Sequence, residues 1–325
     1  MRAFYRAMAS LPLLAALLSV GAAAQDYPSR PVRVIVPYAA GGSSDILVRL
    51  LGQKLSALWG QQLLVDNRSG AGGLIGTEAA ARSNADGYTL YLATDGPVTV
   101  AAAMRQTLPY DWRKDFVPIS MLAVSYQMML VSKAVPAETV AEFIALAKAR
   151  PGVFNYASIG IGSSPHLGAE RFKSAAGVDL THVPFRGSST QAIAAMVTGD
   201  VAFFMNGTAT SVSHVKSGVL RGLAVTSPTR IESVPDIPTF SELGMPSVDV
   251  VIWFAALAPS GTPEGIIRKL HADIVRVSSD PLFRKELADR GFHVKTSTPD
   301  ELKEYMEQDF SKVRELVDKL GLKAD

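Results

Sequence analysis

Apolar residues along this chain change spacing repeatedly, from every second or contiguous position to every third or fourth, and most changes fall at clusters of glycine and serine. That alternation predicts strands and helices in series. Residues 31–36, rich in valine and isoleucine, read as a buried strand. After the loop Ala40-Gly41-Gly42-Ser43, Leu47, Leu51, Leu55 and Leu58 recur at helical spacing. Ser43 or Ser44 is the expected N-cap, Asp45 suits the first turn, and Gly60 should stop the helix. The unit repeats as strand 63–65, loop 69–73 and helix 74–81. Asp86-Gly87 then turns the chain into strand 88–92, and the loop Thr94-Asp95-Gly96 follows.

The middle of the chain has the same organisation. Strand 154–157 leads through a Gly/Ser loop to Pro165, which suits a first helical turn. Strand 182–185, loop Arg186-Gly187-Ser188-Ser189, helix 190–197 and strand 201–205 come next. Two packing helices, 263–277 and 299–320, close the chain. Strand–loop–helix units in series imply parallel sheets covered on both faces. The length suggests two lobes. The expected division is 25–124 with 247–325 for one and 125–246 for the other, and the Pro-rich stretch 228–246 should cross between them over the surface.

Residues 1–24 stand apart. Arg2 and Arg6 precede an apolar run over 11–20, and Ala22-Ala23-Ala24 suits signal peptidase, so the mature chain should begin at Gln25. The run is too short to span a bilayer. Without the leader the chain keeps 30 basic residues against 30 acidic ones. No basic patch for nucleic acid or anionic lipid stands out. The absence of cysteine excludes disulfides, thiol nucleophiles and Cys-ligated metal. Export without disulfides fits a Gram-negative periplasm.

Ligands of open parallel sheets sit beyond the carboxyl ends of the strands, where helices begin. Four loops here lie at such ends, and all are built from Gly, Ser, Ala and Thr with little acid. Glycine admits close backbone approach, hydroxyls donate, and helix N-termini are partly positive. Together they suggest an anion site that needs no metal and no cofactor; taken singly, each could be a tight turn. Enzyme signatures fail. The Gly70-Ala71-Gly72-Gly73 run lacks the further glycine of a dinucleotide fingerprint, because Ile75 stands there. There is no P-loop, no G-x-S-x-G elbow and no H-E-x-x-H. His166, His182, His214, His271 and His293 are scattered singly, which argues against zinc. A hydrogen-bonded role at a helix start is expected for His166.

The loops carry a resemblance. Val36-Pro37-Tyr38-Ala39-Ala40-Gly41-Gly42-Ser43-Ser44-Asp45 resembles the first ligand loop of the Bug-type solute receptors, which serve tripartite tricarboxylate transporters. Asn67-Arg68-Ser69-Gly70-Ala71-Gly72-Gly73 resembles the second. Tyr156-Ala157-Ser158, His182-Val183-Pro184-Phe185-Arg186-Gly187, Leu223-Ala224-Val225-Thr226-Ser227 and Val234-Pro235-Asp236-Ile237-Pro238-Thr239 match in register, as does Ala258-Pro259 before Gly261-Thr262-Pro263. The resemblance implies a type II periplasmic-binding-protein-like α/β fold, with two lobes that close on a small carboxylate. It implies a monomeric receptor handing ligand to one large and one small integral membrane subunit, without catalysis. A receptor feeding a membrane sensor, or a transferase using the Gly-rich loops for phosphate, are the alternatives.

Carried over by position, Tyr38, Ala39, Gly42, Ser43, Gly73 and Thr94 should face the ligand from one lobe. Ser158, Gly162, Ser163, Phe185 and Arg186 should face it from the other, with Arg186 pairing either with ligand or with a local acid. The family usually has an acid where this chain has Asn206, and another where it has Ala202. Lacking that carboxylate, the site should disfavour an amino acid and favour a di-, tri- or aromatic carboxylate. Asn206 either faces the cleft or caps a turn with Gly207.

Overall fold

A computed structural model describes residues 27–105 and 107–323. The expected leader lies outside the described residues. Strand β1 (Val32–Val36) runs parallel to β2 (Leu63–Asn67) and to β3 (Thr89–Thr94). Helix α1 (Ser43–Trp59) and helix α2 (Leu74–Ala81) connect them. The α1 N-cap is Gly42 rather than Ser43 or Ser44. The Asp45 carboxylate accepts from the Gly41 N–H at 3.0 Å, which pins the residue before the N-cap and leaves the first helical N–H groups without a side-chain cap. Gly60 ends α1 in the left-handed conformation, as its position predicted.

Past α3 (Ala101–Met104) comes β4 (Phe116–Val131), a long strand that organises the molecule. Residues 116–126 pair antiparallel with β9 (Val251–Pro259), and residues 127–131 pair with β7 (Phe203–Gly207) and β8 (Arg221–Val225). The second group of units comprises α4 (Val140–Ala149), β5 (Asn155–Ser158), α5 (Ser164–Ala176), β6 (Thr181–Pro184), α6 (Ser189–Thr198) and α7 (Thr208–Lys216). The strand path is β2-β1-β3-β9-β4-β7-β5-β6. After β9 come α8 (Glu264–Ser278), α9 (Pro281–Asp289), β10 (Phe292–Val294) against β4, and α10 (Pro299–Leu320). The outer strands of each half are parallel, as the strand–helix series requires. The antiparallel pairings all involve β4 or β9, the strands that bring the chain across and back.

Strand periodicity distributes the core to both sheet faces. Val32, Val34 and Val36 face the layer of α1 and α8, where Leu47, Leu51, Leu55 and Leu270 are buried. Ile35 faces the opposite layer with Leu74, Trp253, Leu302 and Met306. In the other half, Phe203 and Met205 pack with Phe143 and Phe172, while Phe204 packs with Ile193 and Met196. Each fully buried leucine contributes roughly 1.5–3 kcal/mol.

Where the chain crosses between the halves, Thr226 ties three segments. Its Oγ1 accepts from the Gln127 N–H at 2.9 Å and donates to Val250 O at 2.7 Å. Thr226→Val keeps the shape and strips both main-chain groups of a partner. It should lower stability by about 2–3 kcal/mol in a denaturant titration. A loss below about 0.5 kcal/mol, the level of an ordinary surface change, would show that the tie is dispensable.

Candidate functional site

Strand ends and helix starts from both halves meet around a small cavity. The first half supplies Tyr38, Gly42, Ser43 and Ser44 after β1, Thr94 at the end of β3, and Ile252 and Phe254 on β9. The second supplies Ile159, Ser164, Pro165, Gly187, Ser189, Asn206 and Gly207. No charged side chain is among these residues. Helix starts dominate. Gly42, Ser163 and Gly207 are the N-caps of α1, α5 and α7, and none of them makes a side-chain capping bond. The first N–H groups of a helix have no internal acceptor, and the aligned peptide dipoles leave that end partly positive. Several such ends around one apolar-walled cavity make a site for an anion.

Of the residues expected to face ligand, Tyr38, Gly42, Ser43, Thr94 and Asn206 line the cavity. The Tyr38 hydroxyl lies 3.4 Å from both Gly72 O and Thr94 Oγ1. Burial pushes its pKa well above the ordinary tyrosine range, so it remains a neutral donor. Gly73 sits behind it: a Cβ there would lie 3.2 Å from the Tyr38 hydroxyl. Asn206 is only 2% exposed, and its Nδ2 donates to Thr210 Oγ1 at 2.8 Å and Ser211 Oγ at 3.1 Å. Both hydroxyls donate onward to Gly207 O, which fixes the amide orientation. Asn206 and Gly207 end β7 and are not a turn pair.

The other expected residues lie outside the lining. Ala39 donates its N–H to Gly187 O of the other half at 3.0 Å. Ser158 Oγ is 2.6 Å from His182 Nε2 and accepts from the Gly160 N–H. Ser163 Oγ donates to Gly160 O at 2.6 Å. Gly162 packs against Ala101, and Phe185 is half-buried against the core around Ile193. Arg186 is exposed and has no ion pair among the described residues. His166 departs from expectation. Its Nδ1 is buried without a hydrogen-bond partner, and the ring lies 4.6 Å from that of His182. The Ser158–His182 contact has the spacing of a nucleophile and base. Burial, however, pushes His182 down to about 4, and neither residue lines the cavity.

Sequence reasoning missed Ile252 and Phe254, although the apolar run 250–258 carries the signal of a buried strand. Pro165, Gly187 and Ser189 fall at loops and helix starts legible in the sequence but were not expected to face ligand, and Ser164 carried no signal that sets it apart from Ser163.

The two halves are in contact around the cavity. An ideal Cβ on Gly72 would lie 2.5 Å from Ile161 O, and one on Gly160 would lie 2.7 Å from Gly72 N. A Cβ on Gly207 would lie 2.8 Å from Ser43 Oγ.

The sequence matches the family described as tripartite tricarboxylate transporter family receptor over residues 47–322. It is 34% identical to Protein BugT of Bordetella pertussis over 301 residues, 92% of each chain. Among solved structures it resembles R. palustris Rpa4515 with adipate, at 30% identity and a TM-score of 0.88, covering 91% of this chain and 99% of that one. It also resembles MatC of Rhodopseudomonas palustris with bound malate, at 30% identity and a TM-score of 0.85, covering 90% and 100%.

Proposed function

The chain belongs to the family of tripartite tricarboxylate transporter receptors, and on that premise we propose that its cleft closes on a small, non-amino dicarboxylate. It is a periplasmic solute-binding protein of a transport system and not an enzyme. The observation that carries the ligand class is the uncharged cavity ringed by uncapped helix starts. Helix N-termini on both sides suit an anionic group at each end of a ligand. Ile159, Ile252 and Phe254 suit an aliphatic spacer between them. No lining acid is present to meet an ammonium group. The relatives solved with adipate and with malate hold ligands of this chemistry.

In this reading Tyr38, Gly42, Ser43, Thr94 and Asn206 face the ligand. Ser158, Gly162, Ser163 and Phe185 hold the opposing loops in shape, Gly73 backs Tyr38, and the Ala39 N–H latches the halves together. Lobes 25–124 with 247–325 and 125–246 turn about the crossing near Gln127 and Thr226. The closed monomer is then presented to one large and one small membrane subunit.

A thermal-shift panel of adipate, malate, citrate, benzoate and glutamate tests the reading. A ligand at a hundred times its Kd stabilises the native state by about 2.7 kcal/mol. Adipate or malate should raise the melting temperature most, and glutamate least. A panel led by glutamate, or one in which no carboxylate shifts the melt, would overturn the proposal.

A further inference from the structure

We propose that the Asp95 carboxyl, buried where α5 of one half meets β3 and α10 of the other, is a proton-binding site that takes up one proton when the cleft closes on a carboxylate. The proposal rests on the ligand reading above.

Asp95 directly follows Thr94, which lines the ligand cavity, yet its own side chain borders a second cavity. It is 3% exposed, and Oδ1 is buried without a hydrogen-bond partner. A bare anionic oxygen in that position is costly, and protonation removes the charge. The groups that face Asp95 are few. Helix α10 presents Tyr305, Asp309 and Lys312, α5 presents Arg171, and the returning segment presents Asp249, which is paired with Arg171. Tyr38 approaches from the loop after β1. Among the described residues, no group of three or more His, Cys, Asp or Glu is placed to hold a metal ion.

The link to the ligand lies in α5. Ser164, in its first turn, lines the ligand cavity and also sits beside Asp95. Leu167 and Arg171, one and two turns on, cover the second cavity. A helix moves as a unit, so lifting α5 to admit ligand also lifts the cover from Asp95. Asp309 differs. Its partners Thr99 and Trp253 belong to the same half as α10 and remain in place, donating at 2.6 and 2.9 Å.

In the closed form burial pushes the Asp95 carboxyl up to about 8, with the neighbouring Asp309 charge adding to the rise and the Ser164 hydroxyl opposing it. Exposed, the group would return to the ordinary value of about 4. Between those values the closed form holds a proton that the open form lacks. Ligand affinity should therefore fall about tenfold per pH unit from pH 5 to 7, and level off above about 8.

Calorimetry at pH 6.5, in buffers of differing ionisation enthalpy, measures the uptake directly. The probe is whichever of adipate and malate stabilises more in the thermal-shift panel. Wild type should take up close to one proton per ligand, Asp95→Asn close to none, and Asp309→Asn as much as wild type. Binding without proton uptake in wild type, or uptake that persists in Asp95→Asn, would overturn the proposal. Should Asp95→Asn misfold, the wild-type uptake and its pH slope still decide. Failure of every carboxylate to bind would count against the ligand reading instead.

Discussion

Gly72→Ala should weaken dicarboxylate binding by about a hundredfold while both halves stay folded. A methyl at this position would lie 2.5 Å from the main-chain oxygen of Ile161, which belongs to the other half. Backbone cannot rotate aside as a flexible side chain can. Overpacking of this kind costs about 1–3 kcal/mol, and closure would carry that cost only when ligand is bound. Near the upper end it corresponds to about two decades in affinity. Gly72 has φ +67°, so alanine also meets left-handed strain. Gly60 separates the two effects. It has φ +64° and nothing within 4 Å of an added methyl. Gly60→Ala should therefore lose a little stability and no affinity. Calorimetry on both variants makes the comparison; equal affinities would mean that the loops need not meet when ligand binds.

Asn206→Asp should weaken adipate or malate by about ten- to a hundredfold. The Thr210 and Ser211 hydroxyls that accept from the amide are already donating to Gly207 O. An aspartate would find neither hydroxyl free unless the network reorganised, and it would place a charge beside an anionic ligand in a buried cavity. Repulsion at close range costs on the order of 1–3 kcal/mol. A ligand bearing an ammonium group should be unharmed or improved. The check is calorimetry with adipate or malate and with glutamate on both proteins. Unchanged affinity for both ligands would remove Asn206 from the basis of selectivity.

Much of this architecture is legible in the residues because local rules and packing agree. Helix 74–81 and helix 299–320 were expected at their observed bounds, Leu74–Ala81 and Pro299–Leu320. The second has a full capping box from Thr298 and Glu301. Strand β4 was not legible. It is buried on both faces for much of its length, so its apolar residues do not alternate. Pro118 further disguises it, and the ladder with β9 absorbs that proline as a register shift between Pro118 and Ser120. Helix starts are visible as Gly/Ser loops, and that made the general location of the site legible. Which hydroxyls reach the cavity was not. Ser163 and Ser164 are alike in sequence, yet Ser163 spends its hydroxyl on Gly160 O while Ser164 lines the cavity. Asp95 was passed over because a single acid in a loop carries no pattern. Its significance comes from Ser164 and Asp309, far away in the chain.

The central claim is that helix starts from both halves hold the ligand, with no charged side chain of the protein touching it. A crystal structure of the complex with the tightest-binding dicarboxylate tests it most directly. One carboxylate should lie within hydrogen-bond distance of the first N–H groups of α1, and the other against the starts of α5 or α7. Tyr38 and Thr94 should lie beside the ligand, with Ile252 and Phe254 along its chain. A carboxylate paired with Arg186, or a ligand bound outside this cavity, would contradict the account.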